Sequence, residues 1–196
     1  MQSRIRHFAD ETICSCDPDS NTPSFALFVG REVLWVGKVA VEPGGLWLRQ
    51  VACLARHSDL RVIEGQYLPA NLPPREAIKR WPSLLTLIVA RGEIQAQWKV
   101  LGKTAHVVQP GTWQRSLGAS SLGRDRLKGL SRMKASDILQ RKVTDHNIAD
   151  AVNLGHWFIE ERQWLEKLKS HAPTGTSHTC LSATRTAARD LNAPRG

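Results

Sequence analysis

The sequence predicts an α/β domain, and three observations support that fold class. Three short β-like runs follow one another near the N-terminus with turn-rich breaks between them. Two further apolar runs of strand length come later, each after a helical stretch. Apolar residues in the intervening and final segments recur with the 3.6-residue period of helices.

The first three runs are ETICSC, SFALFVG and EVLWVGKVAV, separated by DPDSNTP and by Gly30–Arg31. Spacing this short leaves no room for a crossover, so an antiparallel meander is expected. After PGG, Leu46 to Arg56 reads as a short helix, and LRVIEG at Leu60–Gly65 reads as a strand buried in the sheet. Pro74 opens a long helical pattern with Trp81, Leu84, Leu85 and Ile88 at i, i+3, i+4 and i+7, a face expected to pack inward and to continue to about Leu101. AHVVQP is the fifth strand, ended by Pro110. Arg124 to Val143 carries seven Lys/Arg against two Asp, and a last helix from about His146 sets Ala151, Leu154, Phe158, Leu165 and Leu168 on one face.

With 196 residues, 41% of them hydrophobic, the chain can bury one core. Residues 1–11 are expected to be a flexible lead, 12–169 the folded domain, and 170–196, rich in Ser, Thr, Ala, Pro and Gly, a disordered tail. The net charge of +9, from 27 Lys+Arg against 18 Asp+Glu, points to a polyanionic partner, nucleic acid or anionic membrane. Cys14, Cys16, Cys53 and Cys180 form no CxxC pair, and no secretory h-region is apparent, so a reducing cytoplasm is the expected location. The longest apolar run, LLTLIVA, is far short of the roughly 20 residues that span a bilayer.

Three acids stand where packing alone does not call for them. Asp17 follows a strand and precedes a turn former, which suits either an Asx turn or a cleft-facing carboxylate. Glu64 ends an apolar strand, where it either turns to solvent or needs a partner or a cation. Asp150 begins a helix among Ile148, Ala149, Ala151 and Val152, with Asn147 and His146 one turn earlier on the same side. Asp145, rotated away, reads as the helix N-cap. Carboxylates that converge repel one another unless a divalent cation neutralises them, and hard oxygen ligands suit Mg²⁺ or Mn²⁺. In a basic protein the natural substrate of such a site is a phosphodiester.

The order of elements and four local words resemble the RuvC-type Holliday-junction resolvases, of the RNase H-like nuclease superfamily. CDPDSNTPSFALF is similar to the family's first-strand word, an Asp-Pro-Gly-Ser turn leading into a strand. VIEGQYLPAN is similar to its buried strand ending in Glu with an aromatic three residues on. VVQPGTWQRSLG resembles the strand, Pro and helix connection that follows, and HNIADAVNLGHW the last helix start. The resemblance covers roughly Thr12 to Phe158. It implies an RNase H-like fold, a mixed five-stranded sheet of three antiparallel strands and then parallel strands, flanked by helices. It also implies a homodimer acting on four-way DNA junctions, with two Mg²⁺ or Mn²⁺ ions per active site and products bearing 5′-phosphate and 3′-hydroxyl ends.

Carried over by position, Asp17, Glu64 and Asp150 match the family's metal-binding carboxylates, and Tyr67 matches its junction-wedging aromatic. Arg126, Lys128, Arg132 and Lys134 are expected to hold DNA phosphates. The sequence departs from the family at three places. Asp19 stands at the family's Gly, and Pro23, Ser24 and Phe25 replace Thr-Gly-Tyr. Asn147 stands where a fourth acid or a His is usual. An amide oxygen can ligate Mg²⁺ but brings no charge, so a second ion should bind more weakly, and His146 is an alternative ligand or general base as well as a plain helix-start residue. Two function classes therefore stand: a junction-cutting or broader RNase H-like nuclease, and a junction-binding protein that has lost cleavage.

Overall fold

The computed structural model describes residues 10–66, 72–118 and 123–171. They fall in two compact units, residues 1–163 and residues 164–196. The sheet, the core and the pocket described below belong to the first. Of the second, only the last turns of the final helix are described, with Trp164 and Leu165 exposed. Tyr67 and nearly all of the expected lead and tail lie outside the described residues.

The elements run β1 (Thr12–Asp17), β2 (Ser24–Val29), β3 (Glu32–Lys38), α1 (Leu46–Arg56), β4 (Leu60–Glu64), α2 (Pro74–Val100), β5 (His106–Val108), α3 (Pro110–Trp113), a 3-10 turn (Gln114–Leu117), α4 (Arg124–Leu139) and α5 (His146–His171). The sheet order is β3-β2-β1-β4-β5. β1, β2 and β3 pair antiparallel, while β4 joins β1, and β5 joins β4, in parallel. This is the expected mixed five-stranded sheet. The two parallel pairings are those with a helix between their strands, as a crossover requires. β3 stops at Lys38, three residues before the expected end, because Val39 and Val41 turn to the loop before β2, their amides donating to Pro23 and Asn21.

Strand alternation sorts side chains to two cores. Ile13, Ala26, Phe28 and Val62 pack with Ala149, Val152, Leu154 and Phe158 of α5. Cys14, Cys16, Phe25 and Ile63 face the other way, onto Trp47 and Val51 of α1 and Ile94 and Trp98 of α2. Each strand of the β1–β4 centre is therefore covered on both faces. Burial keeps the Cys14 thiol neutral, its pKa pushed up to about 12.

Two expected faces differ. In α2 the buried residues are Ala90, Ile94 and Trp98. Trp81 and Leu85 are 48% and 42% exposed, because only the second half of this 27-residue helix lies over the sheet. In α5, Ala151, Leu154 and Phe158 are buried as expected, but Leu165 is not. Helical period shows which residues share a face; it does not show how far the covering surface extends.

Candidate active site

Pleat parity builds the centre of the site. Ile13 and Ser15 point to the α5 side, the Ser15 hydroxyl donating to the Ala151 carbonyl at 2.6 Å, so Asp17 continues on that side. On β4, Val62 points the same way and Glu64 follows it. The parallel register Cys16↔Ile63 brings the two strand-end acids abreast at the next step. α5 crosses this face and delivers Asp150. All three acids line one pocket of about 560 Å³.

Asp17 is 8% exposed. Its carboxyl is hydrogen-bonded to that of Glu64, and its pKa is raised well above the usual range by burial and by the charges of Glu64 and Asp150. Glu64 is raised to about 7 by burial and by Asp150, against the pull of Trp113, whose indole Nε1–H donates to Glu64 Oε1 at 2.9 Å. Asp150 is raised to about 6 by burial, with the Ser131 hydroxyl, which donates to it, and the nearby Lys128 opposing. Ser131 is itself gripped by Asn153, whose Nδ2 donates to its carbonyl at 2.8 Å and to its hydroxyl at 2.9 Å. Three acids, Asp17 buried and Glu64 and Asp150 half-buried, thus face one space, and bringing their negative charges together is costly without a cation.

The rim is positive. Arg80, Arg124 and Lys128 border the pocket, as do the first residues of α4 and of α5. Helix N-termini carry unpaired N–H groups and the positive end of the helix dipole, a setting for anions. Asp145 caps α5 as expected, its Oδ1 accepting from Asn147 N at 2.9 Å and Ile148 N at 3.3 Å, while its Oδ2 meets Lys38 Nζ at 2.5 Å. Those contacts lower its pKa despite partial burial. His146 and Asn147 both line the pocket, and His146 is held below its usual pKa by burial and Lys128.

The expected phosphate-holding residues divide. Lys128 lines the pocket; Arg126 and Arg132 are exposed along α4 outside its wall. Lys134 lies near enough to His156 of α5 to depress its pKa. Sequence reasoning missed Trp113 and Ser131, which hold Glu64 and Asp150. Trp113 had a signal, since it stands three residues after Pro110 in the strand-to-helix connection. Ser131 had none beyond being a small residue in a basic helix.

The donor chemistry fits a hard divalent cation: three carboxyls whose mutual repulsion it would relieve, and the buried Gln66 Oε1, an oxygen acceptor on the pocket wall with no hydrogen-bond partner among the described residues. Among the described residues, no group of three or more His, Cys, Asp or Glu side chains is closely enough set to hold an ion as it stands. Asp150, turned to Ser131, is the acid that a bound ion would have to share.

A sheet of three antiparallel and two parallel strands, with helices on both faces and acids at the ends of its two central strands, is the RNase H-like class of fold. Among solved structures the chain is similar to RuvC of Thermus thermophilus, at 11% identity and a TM-score of 0.55 over 78% of this chain and 96% of that one. The same enzyme in complex with a Holliday junction substrate aligns at 13% identity and 0.55, over 79% and 96%. The fowlpox virus Holliday junction resolvase aligns at 20% identity and a TM-score of 0.48, over 77% and 99%. The chain has the fold of the RuvC-type resolvases. No protein-family model and no curated protein sequence matches it.

Proposed function

We propose that this chain is a metal-dependent, structure-selective endodeoxyribonuclease that cuts Holliday junctions or other branched DNA, leaving 5′-phosphate and 3′-hydroxyl ends. The observation behind this reading is the convergence of Asp17, Glu64 and Asp150 in a pocket bordered by Arg80, Arg124, Lys128 and the N-terminus of α4. Acids at the floor and positive groups at the rim suit a phosphodiester approached by cations. Asp17, Glu64 and Asp150, with Asn147, would hold Mg²⁺ or Mn²⁺, two ions per site. When bound, these ions supply Lewis acidity toward water and the phosphate, and neutralise charge on the leaving 3′-oxygen.

The chain's own residues do the remaining work. Trp113 fixes the Glu64 carboxyl by one oxygen, at the wall of the pocket. Ser131 holds Asp150 until a stronger partner competes for it. Lys128 and Arg124 receive the phosphate backbone at the pocket edge, and Arg126 and Arg132 extend that contact along α4. His146, its pKa lowered by burial and Lys128, stands at the pocket wall where it can accept a proton from water. Homodimerisation on a two-fold junction is supported by the uncovered half of α2, where Ile78, Trp81, Leu85 and Val89 are 74%, 48%, 42% and 58% exposed on one stripe.

The neutral Asn147 and the turned Asp150 favour a second reading, a junction-binding protein without cleavage. A synthetic four-way junction and a linear duplex, each incubated in Mg²⁺ and then Mn²⁺ beside an Asp17→Asn control, separate the two. Paired nicks in the junction that the control lacks are expected; tight junction binding without nicks in either metal leaves only the binding protein.

A further inference from the structure

Asn147 and Asp19 are the two departures from the family's words that carry charge, one lost and one gained, and the fold places them side by side. They are 128 residues apart in sequence, yet Asn147 Nδ2 donates to Asp19 Oδ2 at 3.4 Å, and both line the pocket. The other oxygen of Asp19 is committed: Oδ1 accepts from the amides of Asn21 at 2.8 Å and Thr22 at 3.0 Å, an Asx turn that locks the side chain. The carboxylate therefore has one fixed face toward Asn147, and a carboxylate can only accept there. An amide has one donating and one accepting end. With its NH₂ held by Asp19, Asn147 must direct its carbonyl oxygen elsewhere, and the pocket is the space it borders.

We infer that Asp19 is a positioning residue that orients the Asn147 amide so that its oxygen, the end a hard cation accepts, faces the three carboxyls. This rests on the metal-binding reading above. The pair divides what a fourth acid would do alone: Asn147 supplies a neutral oxygen ligand, and Asp19 supplies the negative charge at one remove. Outer partners that fix a ligand's orientation typically matter by about 10–100-fold in metal affinity.

Calorimetric titration of Mn²⁺ into DNA-free protein should show an unusual order among variants. Asp19→Asn keeps the Asx-turn oxygen, so its new NH₂ must face Asn147, which then turns its own oxygen back toward residue 19 and its NH₂ to the pocket. Asp19→Ser also keeps a turn-capping oxygen and also loses the charge, but leaves the amide free to choose. Mn²⁺ affinity should fall by about 10–100-fold in Asp19→Asn and by only a few-fold in Asp19→Ser. The double variant Asp19→Asn/Asn147→Asp, which offers an oxygen in either rotamer, should return to within a few-fold of the parent. Equal losses in the two single variants mean that only charge matters and overturn the proposal, as does failure of the double variant to recover. If the parent binds Mn²⁺ and Asp17→Asn does not, while Asp19→Asn binds as the parent does, positioning alone is wrong. If parent and Asp17→Asn bind alike, or neither binds, the metal reading falls and this inference with it.

Discussion

Glu64→Gln should stabilise the metal-free protein, and more so at high pH. In the fold the Glu64 pKa is raised from the ordinary 4.5 to about 7, because burial and Asp150 disfavour its charged form. Between those two values the folded state binds more protons than the unfolded one, so stability falls as pH rises through that window and is lowest above it. At about 1.4 kcal/mol per unit, the ionised carboxyl costs about 3 kcal/mol near pH 8 and about 1 kcal/mol near pH 5. Gln keeps an oxygen for the Trp113 N–H, bonded at 2.9 Å in the parent, and its NH₂ can donate to Asp17. Thermal unfolding in EDTA of parent and variant at the two pH values reads the charge at this position together with its effect on Asp17. The opposing effects of His106, His146 and His156, all lowered chiefly by burial, are common to both proteins and cancel in the difference. A gap of about 3 kcal/mol at the higher pH should shrink by about 2 kcal/mol at the lower, or about 4–8 °C in Tm for a chain of this size. Mn²⁺ added near pH 8 should raise the Tm of the parent more than that of the variant. A gap that is the same at both pH values, or a variant less stable than the parent near pH 8, would refute the picture of a buried carboxyl strained by its neighbours.

Three further outcomes are expected. Lys128→Ala and Arg126→Ala should each weaken junction binding and reduce the slope of log affinity against log salt by about one, measured by fluorescence anisotropy across salt concentrations, with no change in sequence preference. Leu85→Glu on the exposed α2 stripe should shift the protein to its monomer mass in light scattering while changing the protomer's own folding stability by no more than about 0.5 kcal/mol, since this side chain is not part of the core. Gly155→Ala should destabilise by about 1–3 kcal/mol despite the helix-favouring substitution, because an added Cβ would collide with the Phe28 ring and stand 2.7 Å from Ser15 Oγ, and denaturant unfolding measures the loss.

What was legible in the sequence was whatever depends on local pattern. The meander, the helix at Leu46–Arg56, the Pro74 start of α2 and the Asp145 cap all follow from periods, turn formers and capping residues a few positions apart. The three acids were visible because each interrupts an apolar context. The extent of coverage was not visible: Trp81 and Leu85 carry the same pattern as a buried stripe, and only the tertiary placement of α2 leaves them bare. The partners that give the site its electrostatics were equally hidden. Trp113 meets Glu64 across 49 residues and Ser131 meets Asp150 across 19, and no local rule pairs them. Asp19 read as a departure at the family's Gly and Asn147 as a missing charge, and their contact is a fact of the fold alone.

The alternation that sends Ile13, Ser15 and Asp17 to one face and Cys14 and Cys16 to the other also governs how this chain can change. Any strand residue can be exchanged for another of its kind and the acid still arrives at the pocket. Deleting or inserting one residue in β1 would instead carry Asp17 to the α1 side, behind the sheet, with a hydrophobic side chain left facing the pocket. Substitution is therefore cheap here and a change in strand length is prohibitive. A fold held by counting rather than by identity can share only 11% of its residues with RuvC and still align with it over 78% of its length.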